Sequence, residues 1–229
     1  MTIRKIIAPL TGGERDRVVL ASAFAAAKPF AAHVVALFVL PDPAEAMPFV
    51  GEGVSATVVQ EIVDVAKEAA DRAAVSARAS LAAVAGADDV LLLDSPQHAD
   101  GPSASFRDVR GNFSDCVTAA ARLSDLVVLG PLSDSDKPGL TEAFESTLVE
   151  TGRPVLLTAM APARDFDGKI ALAWDGSLPC AHAAIGLCAN LVEFSHVPLI
   201  LKSSLRSSFC ASSCRDPSLP QCPCPGACA

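Results

Sequence analysis

Three short turns carry the residues of this chain that could contact a ligand. They are, in chain order, Thr11 with Gly12 and Gly13, then Gly130, then Asp175 with Gly176 and Ser177. Each turn follows an apolar run of strand length, and ligands of open α/β sheets lie at the carboxyl ends of strands, near the point where the strand order reverses. Glycines at such a point let backbone N–H groups approach phosphate oxygens. These turns are therefore the candidate binding residues.

Sequence patterns of catalytic sites are missing from the chain. It contains no G-x-S-x-G, H-E-x-x-H or G-x4-G-K-S/T motif, so no nucleophile is paired with a base and no complete phosphate loop is present. His33 falls in a buried strand pattern, which favours a core histidine with satisfied ring nitrogens. We expect no catalytic residue and no enzymatic activity.

The cysteines are unevenly distributed. Five of the eight follow residue 200, in a segment rich in serine and proline. Their spacings, C-x3-C, C-x-C and C-x3-C, differ from the two-residue gaps of common structural zinc sites. We predict no metal ligands and interpret residues 202–229 as an irregular tail, left by a change of reading frame or splice near residue 193. A metal or thiol-redox function of this tail is the open alternative.

The predicted secondary structure alternates between strands and helices. Strand-length apolar runs occupy residues 3–10, 32–40, 89–93, 125–129 and 154–158, and helical patterns occupy residues 14–28, 55–85, 113–123 and 141–150. Residues 95–111 are polar and are predicted to form an irregular connection. Crossovers between such strands give an α/β fold, an open parallel five-stranded sheet with helices on both faces.

The opening of this unit occurs twice. RKIIAPLTGGERDRVVLASAFA at residues 4–25 and GKIALAWDGSLPCAHAAIGL at residues 168–187 share a basic residue, an apolar run, a small-residue turn and an Ala-rich helix. The second copy is predicted to hold strands at 169–174 and 197–201 and a helix at 180–191. We therefore predict a first domain at residues 1–159, a linker at 160–167, a partial second copy at 168–201 and the tail at 202–229.

Composition and sequence pattern exclude two classes of partner, nucleic acid and the membrane. The net charge is −8, tyrosine is absent and there is one tryptophan, whereas nucleic acid attracts basic surfaces and exposed rings. The longest hydrophobic stretch, residues 18–40, contains Pro29, which would break a spanning helix. We expect no nucleic-acid partner and no membrane insertion. The N-terminal apolar run is too short for a signal peptide, which predicts a cytoplasmic location.

The blocks KIIAPLTGG, SDLVVLGP, TGRPVLLT and GKIALAWDGS resemble the universal stress protein family in its tandem-domain form. The resemblance covers about residues 1–192. It implies an adenine nucleotide alpha hydrolase-like fold and a stress-response or regulatory role exerted by binding. ATP-binding members carry an acidic residue after the first strand and a Gly-x2-Gly-x9-Gly-Ser/Thr loop after the fourth. Here Thr11 stands in the acidic position, Ser133 replaces the second glycine, and Pro131 has no N–H to offer a phosphate.

The first copy is therefore predicted not to bind ATP, and no cofactor is expected there. The second copy keeps Asp175, Gly176 and Ser177, which the resemblance implies could contact an adenosine, while Ser177 also suits the cap of the following helix. The loop that would complete this second site falls in the tail. An ATP binder with weak ATPase activity through Asp175 stays open as an alternative. The fifth predicted strand, residues 154–158, is expected to be the pairing edge, within the chain or between chains, which would give a homo-oligomer such as a dimer.

Overall fold

The first two strands are covered on both faces, as their continuous apolar runs require. β1 (Lys5–Leu10) and β2 (His33–Leu40) pair in parallel, with Ile7 opposite Val35. Every residue of β1 after the first and every residue of β2 before the last is buried. The core therefore starts from these two neighbouring strands.

The computed structural model describes residues 3–41, 56–94, 101–132, 139–161, 172–174, 177–181 and 199–201. The helices are α1 (Asp16–Ala27), α2 (Ala56–Ala87), α3 (Phe113–Ala121) and α4 (Leu140–Ser146), with a 3-10 turn at Lys28–Phe30 and a π-helical turn at Thr147–Thr151. The further strands are β3 (Leu91–Leu92), β4 (Ser103–Arg110), β5 (Leu126–Leu129), β6 (Val155–Leu157), β7 (Leu172–Trp174) and β8 (Leu199–Leu201).

Strands β1 to β6 form one parallel sheet in the order β3-β4-β2-β1-β5-β6. The chain places β2, β4 and β3 on one side of β1 and then returns to place β5 and β6 on the other side. The strand order therefore reverses between β1 and β5. The turns that follow these two strands lie at the switch point, where the sequence placed the first two candidate turns.

The sheet has six strands, which corrects the five expected from sequence. The extra strand is β4, within the segment predicted to be an irregular connection, and it pairs with β2 along its full length. It carries no apolar run, because its buried first three residues are Ser103, Ala104 and Ser105 and most of the remainder is exposed. Its position inside the sheet comes from its neighbours rather than from its own hydrophobicity.

Helices cover both faces of the sheet, as predicted. On one face α1 and α2 pack against the alternate strand residues that include Ile6, Leu10 and Phe38. On the other face α3 and α4 pack against Ile7, Leu37 and their neighbours in the sheet. Because successive strand residues point to opposite faces, one apolar run supplies both cores.

Two further features concern the later part of the chain. Among the described strands β6 pairs only with β5, so it is an edge of the six-stranded sheet, and its Leu157 is partly exposed. β7 and β8 form a separate parallel pair with Leu172 opposite Leu199. Both strands lie within the two that were predicted for the second copy, whose remaining residues fall largely outside the described part of the chain.

Candidate functional site

A carboxylate from the first turn of α1 closes the turn after β1. Asp16 Oδ1 accepts hydrogen bonds from the Thr11 backbone N–H at 2.9 Å and from the Thr11 hydroxyl at 3.1 Å. Asp16 Oδ2 accepts one from the Gly12 N–H at 2.8 Å. The Asp16 side chain is almost fully buried, since the residue is 2% exposed. The turn therefore already holds an anion, and that anion belongs to the chain itself.

Thr11 takes part in this turn through its hydroxyl as well. Besides donating to Asp16, the Thr11 Oγ1 atom accepts a hydrogen bond from the Gly13 N–H at 3.4 Å. A hydroxyl that bonds the backbone two residues later is typical of a turn threonine. Thr11 therefore has a structural role in this turn.

Gly12 is required by both its backbone angle and its surroundings. Its φ is +81°, in the region that residues with a Cβ rarely adopt. A Cβ built there would lie 2.6 Å from the Ala73 carbonyl oxygen and 2.6 Å from the Ala73 Cβ. Helix α2 therefore presses directly on the turn after β1, and the only residue that fits beneath it is glycine.

Gly130 lies at the same edge of the sheet but under weaker constraint. β1 and β5 pair with Ile7 opposite Val127, and continuing this register brings Leu10 beside Gly130. The structure therefore brings Thr11, Gly12 and Gly130 together. Gly130 is buried, its φ is outside the left-handed region, and a Cβ there would sit 3.6 Å from Val19 Cγ2, an ordinary contact. Neither strain nor lack of space requires glycine at this position.

Two backbone features of the described edge after β1 and β5 bear on the binding of a nucleotide phosphate. The Thr11 and Gly12 N–H groups already donate to Asp16. At the neighbouring strand end Pro131 has no N–H to donate. The predicted replacement of a loop glycine by Ser133 lies outside the described residues. What is described of this edge offers a phosphate little to bind.

The turn of the second unit is described only at its last residue. Asp175 and Gly176 lie outside the described residues, while β7 ends at Trp174, directly before them. The Ser177 hydroxyl accepts a hydrogen bond from the Cys180 N–H at 3.3 Å, and the Ser177 carbonyl accepts one from the Ala181 N–H at 3.0 Å. Ser177 therefore caps the helical turn at residues 178–181, as predicted.

Asp16 is the site residue that the sequence reasoning missed. A signal was present, since an acidic residue in the first turn of a helix is stabilised by the helix dipole and can accept from nearby backbone N–H groups. The sequence alone did not indicate that its carboxylate turns back onto Thr11 and Gly12, because that contact depends on how the chain enters α1. The three hydrogen bonds to Asp16 fix the conformation of this turn.

A second polar cluster lies at the amino ends of β2 and β4. His33 Nδ1 is 2.8 Å from the Ser103 hydroxyl and His33 Nε2 is 2.8 Å from the Ser105 hydroxyl, and all three residues are buried. Burial lowers the pKa of His33 below its ordinary value, and the nearby Lys5 ammonium lowers it further. In the neutral ring one nitrogen donates and the other accepts. His33 is the satisfied core histidine that the sequence predicted.

The described part of the chain contains neither a metal-ligand cluster nor a membrane-spanning helix. No group of three or more His, Cys, Asp or Glu side chains within it could hold a metal ion. None of its helices combines the length and apolarity that crossing a membrane would need.

No protein-family model matches the chain, and no curated protein matches it. Solved structures with a similar fold include several universal stress proteins. One from Archaeoglobus fulgidus DSM 4304 is 13% identical with a TM-score of 0.51, over 90% of this chain and 69% of that chain. UspA from Lactobacillus plantarum is 14% identical with a TM-score of 0.47, over 69% of this chain and 99% of that chain. A universal stress protein in complex with cAMP is 15% identical with a TM-score of 0.47, over 70% and 100%. At such identities the likeness concerns the fold alone.

Proposed function

We propose that this chain is a universal-stress-protein-like protein of the cytoplasm that acts in a stress response or its regulation by binding rather than by turnover. The fold likeness to the Archaeoglobus fulgidus protein, which extends over 90% of this chain, supports the proposal. The four sequence blocks that resemble the family support it too. KIIAPLTGG contains β1 and the residues that follow it, and GKIALAWDGS contains β7 and the residues that follow it.

The observation that carries the proposal is the Asp16 carboxylate in the turn after β1. An incoming phosphate would have to displace three hydrogen bonds to a buried charge, and hydrogen bonds to charged groups are the stronger ones. A ligand that binds only by breaking such bonds loses most of its gain in affinity. The first unit therefore does not bind ATP at this turn and serves as a structural half.

The proposal divides the chain as the sequence suggests, with a first domain at residues 1–159, a linker at 160–167, a partial second copy at 168–201 and a tail at 202–229. The parallel pairing of β7 with β8 supports the second copy, because β1 and β2 pair in the same way. The Ser177 cap supports it too, since it places a helix directly after the turn that follows β7.

The partner proposed for the first domain is a second copy of this chain, paired through β6. An edge strand presents a row of backbone N–H and C=O groups that can pair with another strand. β6 is such an edge in the described sheet, and Leu157 and Met160 beside it are exposed. A homodimer through this edge would continue the sheet across the two copies.

An alternative function is favoured by one feature of the second unit. Asp175 follows β7 directly in the sequence, and the Ser177 hydroxyl caps the helical turn after it. The second unit would then bind an adenine nucleotide through Asp175, Gly176 and Ser177, with weak ATPase activity.

Isothermal titration calorimetry with ATP separates these functions. The preferred function predicts no saturable heat for the full chain. Micromolar binding that is lost in Asp175→Ala and kept in Asp94→Ala, an exposed aspartate after β3, would establish the alternative and overturn the preferred function. Binding that survives in both variants would place the nucleotide elsewhere and overturn both.

A further inference from the structure

The two halves of α2 have different surroundings. From Ala73 onward the helix packs on the sheet, with Ala77, Leu81 and Ala85 buried. Between residues 57 and 72 no residue is buried, and most are exposed. This first half, the arm of α2, therefore takes little part in the core of its own domain.

The arm extends past the carboxyl edge of the sheet. Ala73, the first residue after it, lies against Gly12 at the end of β1, so α2 crosses the sheet edge at that point. At 1.5 Å per residue, residues 57–72 extend about 24 Å beyond this crossing. Most of the stability of a helix in a protein comes from packing of its apolar face, so a partner on that side would stabilise the extension.

One side of the arm is apolar and exposed. Val58, Ile62, Val65 and Ala69 follow one another at spacings of four, three and four residues, which places them on one stripe of the helix. Ile62 is 57% exposed and Val65 is 65% exposed. The spacing is that of a helix-pairing seam, and the exposure leaves this seam accessible.

The charges beside the seam suit a second copy of the same helix. Glu61 and Arg72 are eleven residues apart, close to three turns, so they lie on the same side of the seam near its two ends. When two copies pack antiparallel about a two-fold axis near Ala66, Glu61 of each copy lies within a turn of Arg72 of the other. The same arrangement brings the large Ile62 side chain near the small Ala69 of the second copy.

We propose that the arm of α2 is a self-association surface, on which two copies of this chain pack their arms antiparallel and join them by two Glu61–Arg72 ion pairs. A contact with two-fold symmetry requires a self-complementary surface, which the opposite charges at the two ends of the seam provide. Arg72 already contacts Glu68 of its own chain at 3.7 Å. A guanidinium has five N–H donors, so the second contact adds to the first. This surface is distinct from the β6 edge and does not depend on any nucleotide.

Sedimentation equilibrium of the full chain tests the proposal through one apolar variant and its control. Ile62→Glu places a charge in the seam and is expected to weaken association about tenfold or more. Gln60→Glu is the matched control, because it adds the same charge at an exposed position of the arm on the side of the helix away from the seam. It is expected to leave association unchanged. Circular dichroism verifies that both variants stay folded.

A charge swap tests the pairing itself. Glu61→Arg and Arg72→Glu should each weaken association, because each sets like charges across the seam, and the double variant should restore it. Restoration identifies the antiparallel pair of arms. A wild-type chain that stays monomeric, equal effects of Ile62→Glu and Gln60→Glu, or no restoration by the double variant would each overturn the proposal.

Discussion

The turns after β1 and β7 begin alike but use their polar residues differently. After β1 the strand is followed by Thr11, and the carboxylate comes from Asp16, inside the helix, and bonds the turn. After β7 the acidic residue, Asp175, directly follows the strand, and the helix is capped by the Ser177 hydroxyl. The two turns therefore differ in which residue bonds the start of the helix. Asp16 bonds back to its turn from within the helix, whereas Ser177 caps its helical turn from the residue before it.

The largest effect is expected where the first turn meets α2. Gly12→Ala should lower the free energy of unfolding by about 2–4 kcal/mol, because the new Cβ is both crowded by Ala73 and held at a positive φ. Gly130→Ala is the control at the same edge and should cost less than about 1 kcal/mol, since its Cβ meets only Val19 at an ordinary distance. Urea unfolding measures both. Equal losses would mean that α2 does not clamp the turn.

The next effect concerns the carboxylate that distinguishes the first turn. Asp16→Ala should cost about 1–3 kcal/mol in urea unfolding, because it leaves the Thr11 and Gly12 N–H groups without their acceptor. Asp115→Ala is the control, since Asp115 also lies in the first turn of a helix but is exposed, and it should cost less than about 1 kcal/mol. If the two variants are equally stable, Asp16 contributes only to the helix dipole.

The second turn should respond locally and more weakly. Ser177→Ala removes the acceptor of the Cys180 N–H and should weaken the start of the helix by about 0.5–1 kcal/mol. Hydrogen exchange at the Cys180 amide should become faster, while Ser177→Asn should preserve slow exchange. Unchanged exchange in Ser177→Ala would show that the cap does not hold this turn.

The His33 cluster, at the opposite edge of the sheet from the turn after β1, should make the stability of the first domain depend on pH. The His33 pKa is lowered by burial and by Lys5, so the unfolded chain binds a proton at a higher pH than the folded one. This contribution to stability is present above about pH 6.5, the ordinary histidine value, and is lost as the pH falls from there toward the lowered pKa. Urea unfolding against pH should show this loss in the wild type and a smaller one in His33→Gln. An equal loss in both proteins would mean that His33 does not cause the pH dependence of stability.

The parts of the fold that sequence predicted are those with a strong local pattern. β1, β2 and β5 follow from continuous apolar runs, and α2 from a long helical pattern, because burial on both faces or on one side leaves such periods in the sequence. β4 was missed because it carries no continuous apolar run and only its first three residues, two of them serines, are buried. Its place inside the sheet depends on β2 and β3, which no window of its own sequence records.

The sequence predicted where the first two candidate turns lie in the fold, but not which contacts they make. Thr11, Gly12 and Gly130 do lie together at the switch point, because parallel strands end at one edge. That Asp16 occupies the turn, and that α2 presses on Gly12, depends on packing between elements far apart in sequence. The exposure of Ile62 and Val65 was hidden in the same way, since a helical stripe reads alike whether or not another element covers it.

Retention of the Asp16 hydrogen bonds in the presence of ATP can be tested directly. The test follows the amide signals of Thr11 and Gly12 by ¹H–¹⁵N NMR while ATP is added. Because both N–H groups donate to Asp16, their resonances should stay in place at every ATP concentration, whatever happens in the second unit. Saturable shifts of these two amides would show that a nucleotide takes the place of the Asp16 carboxylate. They would contradict the proposal that the first domain does not bind ATP at this turn.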